Sequence, residues 1–318
     1  MGIILGLTGA LCWGIADFSA RFSSRRVGAY RTLFFMQFFG FIALSAYLKW
    51  TGAFGAAGIA SGWRPWALAV VAGLLNMAAS LSLYHSFEVG VMSIVAPVSS
   101  SYPALTVALA LASGERIGLV RGAGLAVTLA GVILAAISFE RRGEESGVRG
   151  GAGADDAAAR APRGDAVNTH VAPQAAVPAG LAKGVVWAIA AALGFGILFW
   201  MLGFYVVPAV GAGVSVWVMR LTAIATLFLF SFPARQTVRM PRGSVWWLLA
   251  AIGLMDTAAF VINNAALHIG PVSVVSVLAS LYGAVTVVLA WIFLRERLEW
   301  TQWCGIVLIF CGIVLVSI

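Results

Sequence analysis

The chain has 318 residues, of which 61% are hydrophobic and only 10% charged, with a formal net charge of +8 and a mean hydropathy of +0.97. A soluble domain carries an apolar fraction nearer ~45–50%, so that class is excluded and the expected solvent is a bilayer. The excess positive charge lies between apolar segments, where it sets orientation and meets anionic lipid; no nucleic-acid site is read into it.

A span takes about 20 mostly apolar residues, and ten stretches qualify. In chain order they run from Ile3 to Ala20, Thr32 to Leu48, Trp66 to Phe87, Val91 to Ala112 and Gly122 to Ser138. After an interruption come Leu181 to Tyr205, Val214 to Phe232, Val245 to Leu267, Val272 to Leu294 and Thr301 to Ile318. The first run follows Met1-Gly2 with no basic flank and is of spanning length, so it reads as a retained helix and not as a cleaved signal. Residues 139–180 are rich in Gly, Ala, Arg and Asp, a composition that predicts a disordered linker. The expected organisation is residues 1–138, a linker at 139–180, and residues 181–318, within an all-α polytopic membrane protein of ten transmembrane helices. Cys12, Cys304 and Cys311 stand singly inside predicted spans, without the spacing of metal ligands or a disulfide framework. No metal or cofactor is expected.

Orientation follows from the cations. Fifteen Lys and Arg follow the odd-numbered spans, against Lys49, Arg64, Arg116 and Arg121 on the other side. The positive-inside rule then expects a cytoplasmic linker and outward termini in the plasma (inner) membrane. Dropping the linker together with the adjoining Lys183 leaves nine against four, with the same sign.

The two halves repeat one another. At an advance of 180, Trp66, Gly73, Ala78, Gly90, Ser100, Tyr102 and Thr106 recur as Trp246, Gly253, Ala258, Gly270, Ser280, Tyr282 and Thr286. At 181, Glu115, Arg116, Gly124 and Gly131 recur as Glu296, Arg297, Gly305 and Gly312. A five-span unit has an odd number of crossings, so its second copy enters from the opposite side, which predicts two inverted five-helix repeats.

Polar residues in mid-bilayer normally face a bundle interior or a water-filled cavity. Asn76, Ser80 and Tyr84 lie at i, i+4 and i+8 on one face of span 3; their counterparts in span 8 are Asp256, Phe260 and Asn264, with Asn263 alongside. Ser93, Pro97 and Ser100 share a side of span 4, as Ser273, Ser276 and Ser280 do in span 9; close helix packing and cavity lining both account for these serines. Asp256 is placed roughly 15 Å into the membrane and Arg220 roughly 18 Å from the same side at 1.5 Å per residue, so the two can pair. The pair would either join spans 7 and 8 or serve the substrate, Arg220 favouring an anion and an unpaired Asp256 a cation or a proton. Gln37 matches Arg220 in the first half. Asp17 reads as an interfacial i, i+4 partner of Arg21, with a cavity carboxylate as the alternative. His85 and Glu88 read as helix-end residues, and Glu115 with Arg116 and Glu296 with Arg297 as structural caps or bridges at the membrane edge. Trp13, Trp200, Tyr84, Tyr102, Tyr205 and Tyr282 would supply aromatic walls or interfacial anchors.

Ser101-Tyr102-Pro103-Ala104-Leu105-Thr106, Gly114-Glu115-Arg116, Gly124 and Gly131, repeated as Leu281-Tyr282-Gly283-Ala284-Val285-Thr286, Arg295-Glu296-Arg297, Gly305 and Gly312, resemble the EamA-type transporters of the drug/metabolite transporter superfamily. Trp13-Gly14 resembles the opening motif of that family. Two departures stand out. Gly283 replaces the usual proline, so a softer kink is expected in span 9, and the cations cluster after spans 1 and 7 where compared members place them after span 2. The resemblance implies export of amino acids, related metabolites or drugs.

Together these features predict a secondary transporter moving a small organic solute by alternating access, with Asn76, Ser80, Tyr84, Ser100, Tyr102, Arg220, Asp256, Asn263, Asn264, Ser280 and Tyr282 as candidate substrate-binding residues. An intramembrane enzyme is the alternative from another class, but neither H-E-x-x-H nor G-x-S-x-G is present. An ion channel is a third, without an evident filter segment. The expected partners are the solute and the bilayer, and a homodimer is compatible with the sequence.

Overall fold

The computed structural model describes residues 2–56, 62–137, 180–233, 243–295 and 300–317, together with 235, 236, 238, 239 and 241. Of the linker expected at 139–180, residues 139–179 lie outside the described residues, as does the Glu296–Arg297 pair, while Gly180 already opens a helix. Those that are described form helices and their connections, with no strand among them. In lipid this is the expected outcome, because a helix satisfies its backbone polar groups within one segment.

The first half contains α1 (Gly2–Val27), α2 (Ala29–Thr51), α3 (Trp63–Val89), α4 (Met92–Ser99), α5 (Pro103–Ala112) and α6 (Leu119–Ile137). The second contains α7 (Gly180–Met201), α8 (Ala212–Ser231), α9 (Val245–Ile269), α10 (Val272–Ala279), α11 (Tyr282–Leu294) and α12 (Trp300–Ser317). Among the described residues, eight spans are long and apolar enough to cross a membrane, counting α4 with α5 and α10 with α11 as one each. Large apolar side chains such as Leu11, Ile42, Leu74, Leu193, Phe228 and Leu254 are exposed on their outer faces, as lipid contact requires. Helices α6 and α12 pack against each other, their crossing made close by Gly312, whose Cα faces the Thr128 backbone nitrogen and the Gly124 carbonyl.

Helix α1 continues past the apolar run at Ala20 to Val27. Its Arg25 explains the extension: Nε donates to the Phe87 carbonyl at 3.3 Å and a terminal nitrogen to the Gly90 carbonyl at 2.9 Å. The guanidinium thereby serves carbonyls that the C-terminus of α3 leaves unpaired. Nearby, Glu88 accepts from the Ala29 backbone N–H at 3.3 Å and lies 3.5 Å from His85 Nδ1, so Glu88 ties the end of α3 to the start of α2. Helix α7 passes into a π-turn over Leu202–Val206 and a last turn, Val207–Val210. Pro208 sits in that last turn and has no N–H to donate, which accounts for the change of register.

Spans 4 and 9 are broken in mid-membrane. The first breaks at Ser100–Tyr102 and the second at Ser280–Leu281. Pro103 opens α5, as proline does at a first helical turn, yet the second break persists where Gly283 stands in its place. The softer kink expected there amounts to one residue fewer out of helix. Both breaks share a local cause: Ser100 Oγ donates to the Pro97 carbonyl at 3.0 Å and Ser280 Oγ to the Val277 carbonyl at 2.8 Å, offering the backbone an alternative to the helical ladder. Gly283 has a packing role, since a Cβ there would overlap Ser100 Oγ and lie 2.6 Å from Ser100 Cβ.

Contacts between the halves come in matched pairs. A Cβ on Gly73 of α3 would meet Met219 of α8 at 3.0 Å, and one on Gly253 of α9 would meet the Met36 carbonyl of α2 at 2.5 Å. Thr106 Oγ1 donates to the Gly196 carbonyl at 2.9 Å, and Thr286 Oγ1 to the Gly14 carbonyl at 3.3 Å. Each half therefore packs its first span against the other's broken span, and its second against the other's third. Lipid tails supply no hydrophobic drive between helices, so these small-residue crossings and hydroxyl bonds carry the association.

Candidate functional site

Where the two halves meet, Trp13, Asp17, Ser80, Leu83, Tyr84, Tyr102, Phe195, Phe199, Asp256, Phe260 and Tyr282 line a small cavity with a free volume of about 30 Å³. Four helices contribute by the same rule. Trp13 and Asp17 on α1, Ser80 and Tyr84 on α3, Phe195 and Phe199 on α7, and Asp256 and Phe260 on α9 are each i, i+4 pairs and so share a face. The two breaks supply Tyr102 and Tyr282, whose rings stack with centroids 6.4 Å apart.

The wall is mainly aromatic. Trp13 meets Phe260 edge-on at 5.0 Å and Phe199 at 5.7 Å, while Tyr102 lies 4.9 Å from Phe199. Each tyrosine hydroxyl is anchored away from the ring. Tyr102 donates to the Ser276 carbonyl at 3.1 Å, Tyr282 to Ser99 Oγ at 3.3 Å and Tyr84 to Met36 Sδ at 2.8 Å. The first two bonds again cross between halves, so the ring positions depend on both.

One edge of the cavity carries a buried polar cluster. Arg220 on α8, 1% exposed, donates to Asp256 on α9 and to Gln37 on α2, with its Cζ 5.2 Å from the centre of the Phe260 ring. Trp13 Nε1 donates to the other Asp256 oxygen at 3.1 Å. One carboxylate thus joins α1, α8 and α9, and the guanidinium extends the junction to α2. Gln37 and Arg220, matching positions in the repeat, meet directly.

Of the candidates, Ser80, Tyr84, Tyr102, Asp256 and Tyr282 line the cavity, and Arg220 stands behind Asp256. Asn76, Ser100, Asn263, Asn264 and Ser280 are buried but do not line it. Asn264 donates to Ser215 Oγ at 3.0 Å, Ser100 and Ser280 bond their own helices, and Asn263 has no side-chain partner among the described residues. Asp17, for which the sequence offered an i, i+4 pairing with Arg21 or a cavity carboxylate, lines the cavity. Trp200 and Tyr205 lie elsewhere, with Trp200 Nε1 bonded to Ser113 Oγ at 2.8 Å and Tyr205 45% exposed.

Phe195, Phe199 and Leu83 were not singled out from the sequence. A signal for the phenylalanines existed: at an advance of 182, Trp13-Gly14 falls on Phe195-Gly196 and Asp17 on Phe199.

Glu115 lies outside the site. Its carboxylate accepts from the Val272 N–H at 3.0 Å, the Ser273 N–H at 3.2 Å and Ser273 Oγ, capping α10 from across the repeat boundary. Glu115→Ala is expected to cost about 1–2 kcal/mol, read as a fall of a few degrees in the melting temperature of the purified protein. Glu115→Gln should lose less than the alanine variant.

A bundle of apolar helices closing on an internal cavity, with broken spans at its wall, defines a multi-pass membrane protein of transporter type. The chain belongs to the EamA-like transporter family, whose model matches residues 1–137 and 182–318. A solved crystal structure is similar over 99% of this chain and 96% of its own, at 18% identity and a TM-score of 0.67. That likeness concerns the fold. Comparison with curated proteins gives no match.

Proposed function

We propose that the protein is a secondary carrier for a small organic solute, with ten spans in two inverted five-helix repeats, 1–138 and 181–318, that rock about the cavity. The observation that carries this reading is the composition of the cavity wall. Trp13, Asp17, Ser80, Tyr84 and Tyr102 come from one half and Phe195, Phe199, Asp256, Phe260 and Tyr282 from the other, so movement between halves would change access while each wall stays intact. Mid-membrane breaks and matched contacts support it further. In this reading solute enters from the cytoplasm and leaves outside, the 139–180 linker is cytoplasmic, and the termini face outward in the plasma membrane.

Reconstitution into proteoliposomes tests the mechanism. Counterflow of a radiolabelled solute should be saturable and competed by unlabelled solute, with Tyr102→Ala and Tyr282→Ala reducing it roughly tenfold or more through loss of the stacked wall. An unsaturable, ohmic current without counterflow would instead identify a channel.

A further inference from the structure

We infer that the cavity selects an organic cation, a small amine with an apolar body, and that Asp17 is its counter-ion. This deepens the carrier reading and rests on it for the movement of solute, though not for binding.

The two carboxylates at the wall differ in their partners. Asp256 is occupied, with Arg220 supplying a full positive charge and Trp13 a further donor. Asp17 is 5% exposed and faces the same cavity, yet among the described residues it makes no hydrogen bond or ion pair. The Arg220–Asp256 pair is neutral as a unit, so a negative charge formed at Asp17 would have no fixed partner. An ionised carboxylate removed from water is costly unless a cation meets it, so a carboxyl buried here keeps its proton until an ammonium group takes the place beside it in the cavity.

The remaining wall fits the same occupant. Trp13, Tyr102, Phe199, Phe260 and Tyr282 line the cavity, and the negative face of an aromatic ring attracts an ammonium group. The apolar body of the ligand would lie on the same rings. Arg220 does not reverse the preference, because both of its terminal nitrogens are engaged by Gln37 and Asp256. An anionic solute would meet Asp17 and the rings with no free cation among the described wall residues.

The experiment uses three probes with one body and three charges: phenethylamine, phenethyl alcohol and 3-phenylpropionate, titrated into the purified full chain with calorimetry and melting temperature as readouts. The amine is expected to bind saturably, with the alcohol and the acid at least ~30-fold weaker. Asp17→Asn should bring amine and alcohol within about threefold of each other, while Asp17→Glu keeps the preference. The unliganded Asp17→Asn protein should melt no lower than the parent, since the Asp17 side chain makes no hydrogen bond or ion pair among the described residues. Equal or tighter binding of the alcohol or acid overturns the inference, as does no amine binding up to about 10 mM, or an amine preference that survives in Asp17→Asn. The parent series decides even if the variant does not fold. Amine binding with this pattern but no counterflow of any solute would remove the carrier reading and leave the cation site. Counterflow of a neutral or anionic solute without amine binding would do the reverse.

Discussion

Arg220→Ala is expected to destabilise the protein by about 3–5 kcal/mol, because it removes one partner of a buried ion pair and leaves the other charged. Asp256 would retain only the Trp13 indole N–H, and Gln37 would lose its bond to the guanidinium. The measurement is thermal unfolding of purified protein, with a fall of many degrees relative to the parent. Asp256→Asn should cost less, since the amide oxygen can still accept from Arg220 or Trp13, although the guanidinium then lacks a counter-charge. The double replacement Arg220→Met with Asp256→Leu separates the two contributions. It should be more stable than Arg220→Ala, because removing both charges removes the desolvation cost along with the attraction. Arg220→Lys tests geometry: a single ammonium has no rigid fork with which to hold Gln37 and Asp256 together, so partial loss is expected. If Arg220→Ala melts with the parent, the cluster does not join α2, α8 and α9.

Gly253→Val is expected to have an effect of similar size through sterics alone. A Cβ on Gly253 would stand 2.5 Å from the Met36 carbonyl oxygen and 3.2 Å from the Gly40 backbone nitrogen, and neither obstacle is the end of a flexible side chain. Helices α2 and α9 would have to separate. Overpacking costs about 1–3 kcal/mol when side chains can yield, and a backbone-to-backbone crossing belongs at the upper end. The repeat supplies an internal comparison. At Gly73 the nearest atoms are Thr222 Cβ at 2.9 Å and Met219 Cα at 3.0 Å, a looser fit. Gly253→Ala should therefore lower the melting temperature more than Gly73→Ala, and the opposite order would contradict the described crossing.

Several elements were legible because their cause is local. Apolar length marks a span whatever it packs against, and recurrence of Tyr102 as Tyr282 or Gly73 as Gly253 needs no coordinates to see. Arg220 and Asp256 were also readable as a pair, since both lie deep in adjacent spans and charges at that depth require partners. The serines of the broken spans were ambiguous for a physical reason. A small hydroxyl residue suits both a tight crossing and a polar wall, and only the position of the neighbouring helix separates the two. Ser100 faces Gly283 and Ser280 bonds its own turn, whereas Ser80 reaches the cavity.

Asp17 shows most directly where sequence reasoning stops. Its spacing from Arg21 satisfies the helical i, i+4 rule, but α1 carries apolar residues all round and has no polar stripe to show which face turns inward. Contacts of α1 with α9 and α11 from the other half set that rotation, and with it the place of Asp17 beside Trp13, Phe199 and Tyr282. By itself the sequence determined that the chain spans a membrane, that its two halves are copies, and that Arg220 and Asp256 lie at depths where they can pair. The tertiary structure alone decided which residues share the cavity and which carboxylate in it lacks a partner. Helix formation and membrane insertion depend on each segment's own composition, while the wall of a cavity depends on how several uniformly apolar helices are turned against one another.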